Sequence, residues 1–348
     1  MSRSELLRRL GIEHPVVLAP LGGGPGTPQL AAAVSNAGGL GSLGVAYLAP
    51  QQILDEVGRT RALTSRPIAV NLFAGGVPAT PPAYDASAMV SILSDIHAEL
   101  GLPRPTVPPF PHDPFAEQFE AVLEARPEVF SFIFGALDPT AVRDLHARGI
   151  IVLGTATTVE EAHILADTGV DAVIAQGAES GGHRGTFAAP FEAAMVPMLQ
   201  LVRQIAEFAP VIAAGGIMDG RDVRAAIESG AAAAQIGTAF LSCPESGASA
   251  AYRQALLSSK TDTTVVTRAF SGRPARGLRN QFIEMLEGRE QAILPYPLQN
   301  AVTRPMRTAA SKLGKAGFLS MWAGQGVARS RAMPARELVT KLVQESQQ

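Results

Sequence analysis

A chain of 348 residues with a formal net charge of -2 can bury a large core, and that charge argues against nucleic acid or an anionic membrane as main partner. Aromatic residues are 5% of the chain, which leaves no base-stacking surface to propose. The single cysteine, Cys243, excludes disulfides, cysteine-ligated zinc and iron–sulfur clusters. At the N-terminus, residues 1–10 read as a short amphipathic helix without the apolar run of a signal peptide. No uncharged apolar run reaches bilayer length, so a soluble, cytoplasmic protein is expected.

Short apolar runs then alternate with amphipathic helical stretches, the pattern of βα units and a parallel sheet. The expected strands are Val16–Pro20, Leu40–Val45, Ile68–Phe73, Val129–Phe134, Ile150–Thr155, Ala172–Gln176, Val211–Ala214 and Ala233–Gly237. Eight such runs predict an α/β fold, a (β/α)8 TIM barrel whose site is built from loops at the strands' C-terminal ends. A doubly wound open sheet is the second choice. Its dinucleotide fingerprint fits poorly, because Pro25 interrupts the glycine run 22–26 and removes an amide that a phosphate would need.

Two segments break the alternation. Residues 74–128 carry helical patterns at Ala86–Leu100 and Phe115–Ala125, separated by a proline-rich piece at 103–114 that reads either as a lid or as an ordinary excursion. After the eighth strand, from about Leu241 to Gly317, the pattern is helical with arginines and no clear strands. The expected organisation is a barrel over 1–240 and 318–348, with a small, mainly helical substrate or lid domain at 241–317.

The sixth expected strand runs into Gln176-Gly177-Ala178-Glu179-Ser180-Gly181-Gly182-His183-Arg184-Gly185, a glycine-paved loop with one histidine, and a long helical pattern is expected from Pro190. Glycines 181, 182 and 185 let a flat ligand lie against bare backbone. The seventh and eighth strands end in Ala214-Gly215-Gly216 and Gln235-Ile236-Gly237-Thr238, where barrels often bind phosphate. Amides at Gly215, Gly216, Gly237 and Thr238, with the Thr238 hydroxyl, can point at phosphate oxygens. Ala19-Pro20-Leu21-Gly22, Asn71 and Gln176 offer small or uncharged hydrogen-bonding groups at other strand ends, suited to the edge of a heterocycle. One phosphate, a polyol and a wide ring describe FMN. Pyridoxal phosphate would want a Schiff-base lysine, and Lys260, Lys312, Lys315 and Lys341 all follow the eighth strand. The run Glu160-Glu161-Ala162-His163 occurs once, and Thr157 with Glu160 reads as a capping box instead of a metal site.

Taken together, Ala19-Pro20-Leu21-Gly22-Gly23, Asn71-Leu72-Phe73, the 176–185 loop, Ala213-Ala214-Gly215-Gly216-Ile217 and Gln235-Ile236-Gly237-Thr238 resemble the nitronate monooxygenase family over nearly the whole chain. Tyr296-Pro297-Leu298-Gln299-Asn300 and Trp322-Ala323-Gly324-Gln325-Gly326 resemble its class I branch. Leu21 and Ser180 stand where relatives often carry methionine and alanine. The resemblance implies an FMN enzyme that oxidises alkyl nitronates, propionate 3-nitronate among them, with dioxygen to a carbonyl compound and nitrite. It implies His183 as the catalytic residue and Asn71, Gln176, Gly181, Gly216, Gln235, Gly237 and Thr238 at the cofactor. Ala19, Pro20, Leu21, Gly22, Gly182 and Gly215 join them from the reading above. Tyr296 is read as lining the substrate pocket or as a packed aromatic, and Arg184 as balancing flavin charge or as a solvated surface group. The alternative on the same scaffold is an FMN-dependent NAD(P)H reductase acting on a quinone or an enoyl thioester on acyl-carrier protein.

Overall fold

Each short apolar run, bounded by glycine or proline, becomes a strand, and each is followed by a helix on the outside. In the computed structural model, which describes residues 3–80, 82–261 and 263–348, the strands are β1 (Val16–Leu18), β2 (Gly41–Gly44), β3 (Ile68–Phe73), β4 (Val129–Ile133), β5 (Ile151–Ala156), β6 (Ala172–Gln176), β7 (Gly182–His183), β8 (Val211–Ala214), β9 (Ala233–Ile236), β10 (Thr264–Thr267) and β11 (Ala275–Leu278). Eight of them form one parallel sheet in the order β1-β9-β8-β6-β5-β4-β3-β2. A parallel bridge between Val17 and Leu40 brings β1 back towards β2. The result is a (β/α)8 barrel, as expected, with every barrel strand present and its ends within two residues of the sequence reading.

The helices start where the chemistry says they should. Thr27, Asp138, Thr158 and Asp219 cap helices with their side-chain oxygens, and proline follows at the first turn after Thr27 and Asp138. The expected Thr157–Glu160 capping box is shifted by one residue. Thr158 is the cap, and the carboxylate of Glu161 turns back to the amide and hydroxyl of Thr157. The expected long helix from Pro190 is also shorter. Turns fill 191–194, and the helix spans Met198–Ala206, because Pro197 sets its start.

The N-terminal helix, Arg3–Leu10, closes the bottom of the barrel. Leu6 and Leu10 are fully buried and pack with Val17, Leu40, Val129, Leu153 and Ile212 inside the strands. Met1 and Ser2, part of the expected helix, lie outside the described residues. At the other end of the chain, the helix Ala335–Ser346 packs against the helices Gly220–Glu228 and Pro28–Asn36.

The segment after β9, expected to be mainly helical with no clear strands, does contain strands. β10 and β11 form an antiparallel hairpin there, and β11 pairs with β7, so a three-stranded sheet reaches from this segment to the histidine loop. A second hydrophobic core gathers residues 241–327 with the helix Ser87–Glu99, including Met89, Leu93, Phe270, Phe282 and Phe318. The proline-rich piece lies on that core through Leu102, Val107 and Phe110. Among the described residues no helix is long and apolar enough to cross a membrane.

Candidate active site

The C-terminal ends of the barrel strands open into a cavity of about 670 Å3. Ala19, Pro20, Leu21 and Gly22 form one wall from the loop after β1. Asn71 lines it from within β3 and Gln176 from the end of β6, and Gly181, Gly182 and His183 from the glycine loop. Gly215, Gly216, Gln235, Gly237 and Thr238 complete the rim after β8 and β9. Fourteen of the positions singled out at the strand ends and the glycine loop are therefore brought together in one cavity, whereas Gly185, also expected against the ligand, is not among its lining residues. Tyr296 is not among its lining residues; it packs edge-on to Phe134 at 6.5 Å, and Phe134 lines the cavity. No residue of 103–114 lines it.

The glycine loop is held from several sides. Gln176 Nε2 donates to the His183 carbonyl at 2.9 Å, and its Oε1 accepts from the Gly185 amide at 2.8 Å. Arg184, expected as a surface or flavin-balancing group, is instead fully buried beneath the loop. Its guanidinium donates to the carbonyls of Gly177 at 2.5 Å, Gln176 at 3.0 Å and Ala194 at 2.9 Å. Burial pushes its pKa down to about 10, helped by the charge of Arg276. The buried Glu161 carboxylate accepts from Thr186 Oγ1 at 2.8 Å and from the amides of Phe187 and Ala188 at 2.6 and 3.0 Å. Burial alone would raise its pKa; the hydrogen bonds outweigh burial and hold it below the ordinary carboxylate value. Gly181 lets the loop touch the 323–326 segment, since a Cβ there would sit 2.5 Å from the Gly324 amide nitrogen.

His183 stands on β7, between the ring of Phe134 at 6.0 Å and that of Trp322 at 5.4 Å. Its Nε2 lies 2.8 Å from Ser271 Oγ. That hydroxyl donates to the Arg273 carbonyl at 3.0 Å and accepts from the Arg273 amide at 3.2 Å. Its one proton is thus spent on a carbonyl, so the imidazole Nε2–H is the donor to Ser271 and Nδ1 keeps its lone pair. Burial, with the charges of Arg273 and Arg307, pushes the histidine pKa down to about 3. Both effects favour the neutral ring.

Two edges of the cavity differ in chemistry. On one, the amides of Gly215, Gly216, Gly237 and Thr238 make no hydrogen bond to another backbone group among the described residues. Gly216 sits at φ +68 and Gly215 at φ +139, conformations that expose successive amides. The Thr238 hydroxyl accepts from the Gly324 amide at 2.9 Å, which leaves its own proton to donate. This edge fits a phosphate. Asn71 donates to Ser131 Oγ at 2.9 Å and presents its carbonyl oxygen without a protein donor among the described residues, a fit for the edge of a heterocycle. Another edge is the helix Leu298–Leu313, which brings Asn300, Arg304, Arg307 and Lys312 to the cavity. Sequence reading missed this face. Its signal is present in hindsight as polar residues at helical spacing (300, 304, 307, 308, 311), but nothing local says that they face a cavity. Tyr47, Tyr252 and Trp322 also line it, and Tyr252 donates to the Trp322 carbonyl.

A family model described as nitronate monooxygenase matches residues 3–345. A nitronate monooxygenase of Pseudomonas aeruginosa is 44% identical over 344 residues, covering 97% of each chain. A probable nitronate monooxygenase of Staphylococcus aureus is 39% identical over 353 residues, covering 100% of this chain and 98% of the relative. Among solved structures, the nitroalkane oxidase of Streptomyces ansochromogenes superposes with a TM-score of 0.88 at 38% identity, covering 99% and 98% of the two chains. FabK of Thermotoga maritima superposes less closely, with a TM-score of 0.76 at 28% identity, covering 99% and 96%.

Proposed function

The chain belongs to the nitronate monooxygenase family, and from that premise we propose that it binds FMN and oxidises alkyl nitronates with dioxygen to a carbonyl compound and nitrite. The observation that carries this reading is His183, held towards its neutral form, on the wall of a cavity whose lining contains no aspartate or glutamate among the described residues. An anionic substrate entering such a space meets cations and dipoles and no like charge. The flavin supplies the electron acceptance that no side chain here can provide. Its phosphate would lie at the amides of Gly215, Gly216, Gly237 and Thr238, and its ring near Asn71, Gln176 and the bare backbone of Gly181 and Gly182.

The chain's own work is positioning and proton handling. A nitronate arrives deprotonated, so it needs placement, not a base. A neutral nitroalkane must first lose its α-proton, and Nδ1 of His183 is the lone pair placed to take it, a role that requires the anion formed at the site to raise the ring's pKa towards neutrality. With Nε2–H committed to Ser271, the neutral ring accepts a proton at Nδ1 but offers no second donor to nitro oxygens. Phe134 and Trp322 pack near the ring and limit its orientations.

The test is turnover by the purified flavoprotein under air, with nitrite as readout, for propionate 3-nitronate and for nitroethane. Nitrite release from the nitronate, lost for nitroethane but spared for the nitronate in His183→Asn, is the expected result. Equal loss for both substrates would remove the base role. Rapid flavin bleaching by NADH, with no response to any nitronate, would turn the reading to a quinone or enoyl-thioester reductase.

A further inference from the structure

Among the described residues, positive φ outside glycine occurs at Arg126, 47°, and at Phe134, 79°. Arg126 is the C-cap of the helix Phe115–Ala125, where a left-handed residue is ordinary. Phe134 has no such role. It follows β4 directly, is buried, and lines the cavity. A bulky side chain in this region is costly, and phenylalanine has no polar group to offset the cost by a local hydrogen bond. Gly135, the next residue, would take a positive φ freely. The strain thus falls on the member of the pair that puts a ring into the cavity. Its surroundings hold it there. The Ala74 amide donates to the Ile133 carbonyl at 2.9 Å, which ties the chain after β3 to the end of β4. A Cβ on Gly75 would lie 2.9 Å from the Phe134 carbonyl oxygen, and one on Gly135 2.8 Å from that of Ala74. Over the ring stands the Arg273 guanidinium, 3.9 Å from its centroid, itself fixed by donating to the Thr186 carbonyl at 2.7 Å. Phe73 packs on the ring at 4.7 Å. Strain kept at a cavity wall by neighbours that over-determine it points to function.

We infer that Phe134 is a specificity-determining wall beside His183, and that it limits the bulk carried by the carbon that bears the nitronate. The inference rests on the nitronate reading and narrows it to nitronates that are slim at that carbon. His183 marks where the carbon comes, because a proton is taken only within hydrogen-bond reach, ~3 Å. A cavity-lining ring centred 6.0 Å from the imidazole bounds the same space. A wall rejects a bulky group only if it does not swing aside. The clamped backbone and the stacked guanidinium keep this one in place, so a branched or cyclic carbon meets a clash that a slim one avoids.

Trp322 is the only tryptophan and lines the same cavity, so its fluorescence reports occupancy. The experiment titrates the purified flavoprotein with propionate and with cyclohexanecarboxylate. In both a carboxylate stands for the nitronate group; the carbon next to it is slim in the first and part of a ring in the second. Wild type is expected to bind propionate about tenfold tighter or more, and Phe134→Ala to abolish or invert that preference. Phe134→Gly should do the same and carries the test if the alanine variant does not fold. The glycine variant should also melt above the alanine variant, the reverse of the usual order, because only glycine is at ease at this φ. Equal affinities in wild type, binding of neither ligand, or a ratio unchanged in both variants would overturn the wall. An alanine variant that melts at or above the glycine one would overturn it too, by removing the strain that holds the ring. A preference that depends on Phe134, in a protein that releases no nitrite from any nitronate, would leave the wall standing and remove the reaction.

Discussion

His183 can act as a base only if one ring nitrogen keeps its lone pair, and Ser271 decides which one. The hydroxyl is 88 positions away in sequence and bonds the ring at 2.8 Å. Removing it in Ser271→Ala frees the tautomer and the ring orientation. Turnover of nitroethane should fall on the order of tenfold, about the worth of one hydrogen bond, while nitronate turnover falls less. Ser271→Thr should recover much of the loss. Nitrite release from the two substrates measures both effects, and an equal fall for both would assign Ser271 to packing alone. A second expectation concerns pH. The histidine pKa is held at about 3 in the folded chain, against about 6.5 unfolded. The folded form therefore binds fewer protons, and the contribution of this residue to stability is whole above about pH 6.5 and lessens as pH falls below it. For catalysis, kcat/KM with nitroethane should show no histidine limb near pH 6.5. A limb centred there would show that the ring titrates as an ordinary histidine. His183 was legible from sequence because glycines flank it; Ser271 was not, because no local pattern points across 88 residues.

At the scale of elements, the histidine loop is a bracket held by two buried charges of opposite sign. Arg184 ties down the carbonyls of Gln176, Gly177 and Ala194, and Glu161 ties down the amides of Phe187 and Ala188. Arg184→Met fills the space but leaves three carbonyls without their donor, and should cost about 2–3 kcal/mol, the scale of hydrogen bonds to a charged group. Urea denaturation measures the cost, and flavin retention in dialysis should fall with it. Glu161→Gln keeps the shape and loses the charge. Because the folded pKa of Glu161 is depressed, its contribution is present above the unfolded value of about 4.3 and is lost as pH falls through the lower folded value. Wild type and Glu161→Gln should thus differ in melting temperature at pH 7 and converge on acidification; a constant gap would mean that the charge is not the stabilising feature. The barrel strands were readable because each is a buried apolar run of standard length. The β7–β11–β10 sheet was not, since β7 has two residues and the β11 run Ala275-Arg276-Gly277-Leu278 lacks β-branched side chains. Tertiary pairing makes those strands. Arg184 was misread for a related reason: an arginine next to glycines looks solvated until the fold places three carbonyls around it.

In the molecule as a whole, the two ends of the barrel divide the labour. The strands' C-terminal ends carry glycines, unpaired amides and uncompensated cations, all of which cost stability. The opposite end is closed by the N-terminal helix, whose Leu6 and Leu10 complete an apolar cluster with the strand interiors. Conserving shape at the bottom is therefore a matter of folding, and chemistry at the top a matter of loops. Leu6→Ala tests the separation. Truncating a fully buried leucine should cost about 3 kcal/mol, because the lost transfer energy and the cavity left behind add. The effect should appear as a lower urea midpoint with an unchanged slope. At temperatures well below melting, kcat/KM for propionate 3-nitronate should match wild type. Loss of kcat/KM in a variant that is still folded would show that the plug sets the geometry of the cavity through the barrel wall. The buried interior argues against that coupling. Between Leu6 and the cavity lie layers of tightly packed strand side chains, and such an interior absorbs a missing methyl group locally at a cost in stability, without passing it to the rim.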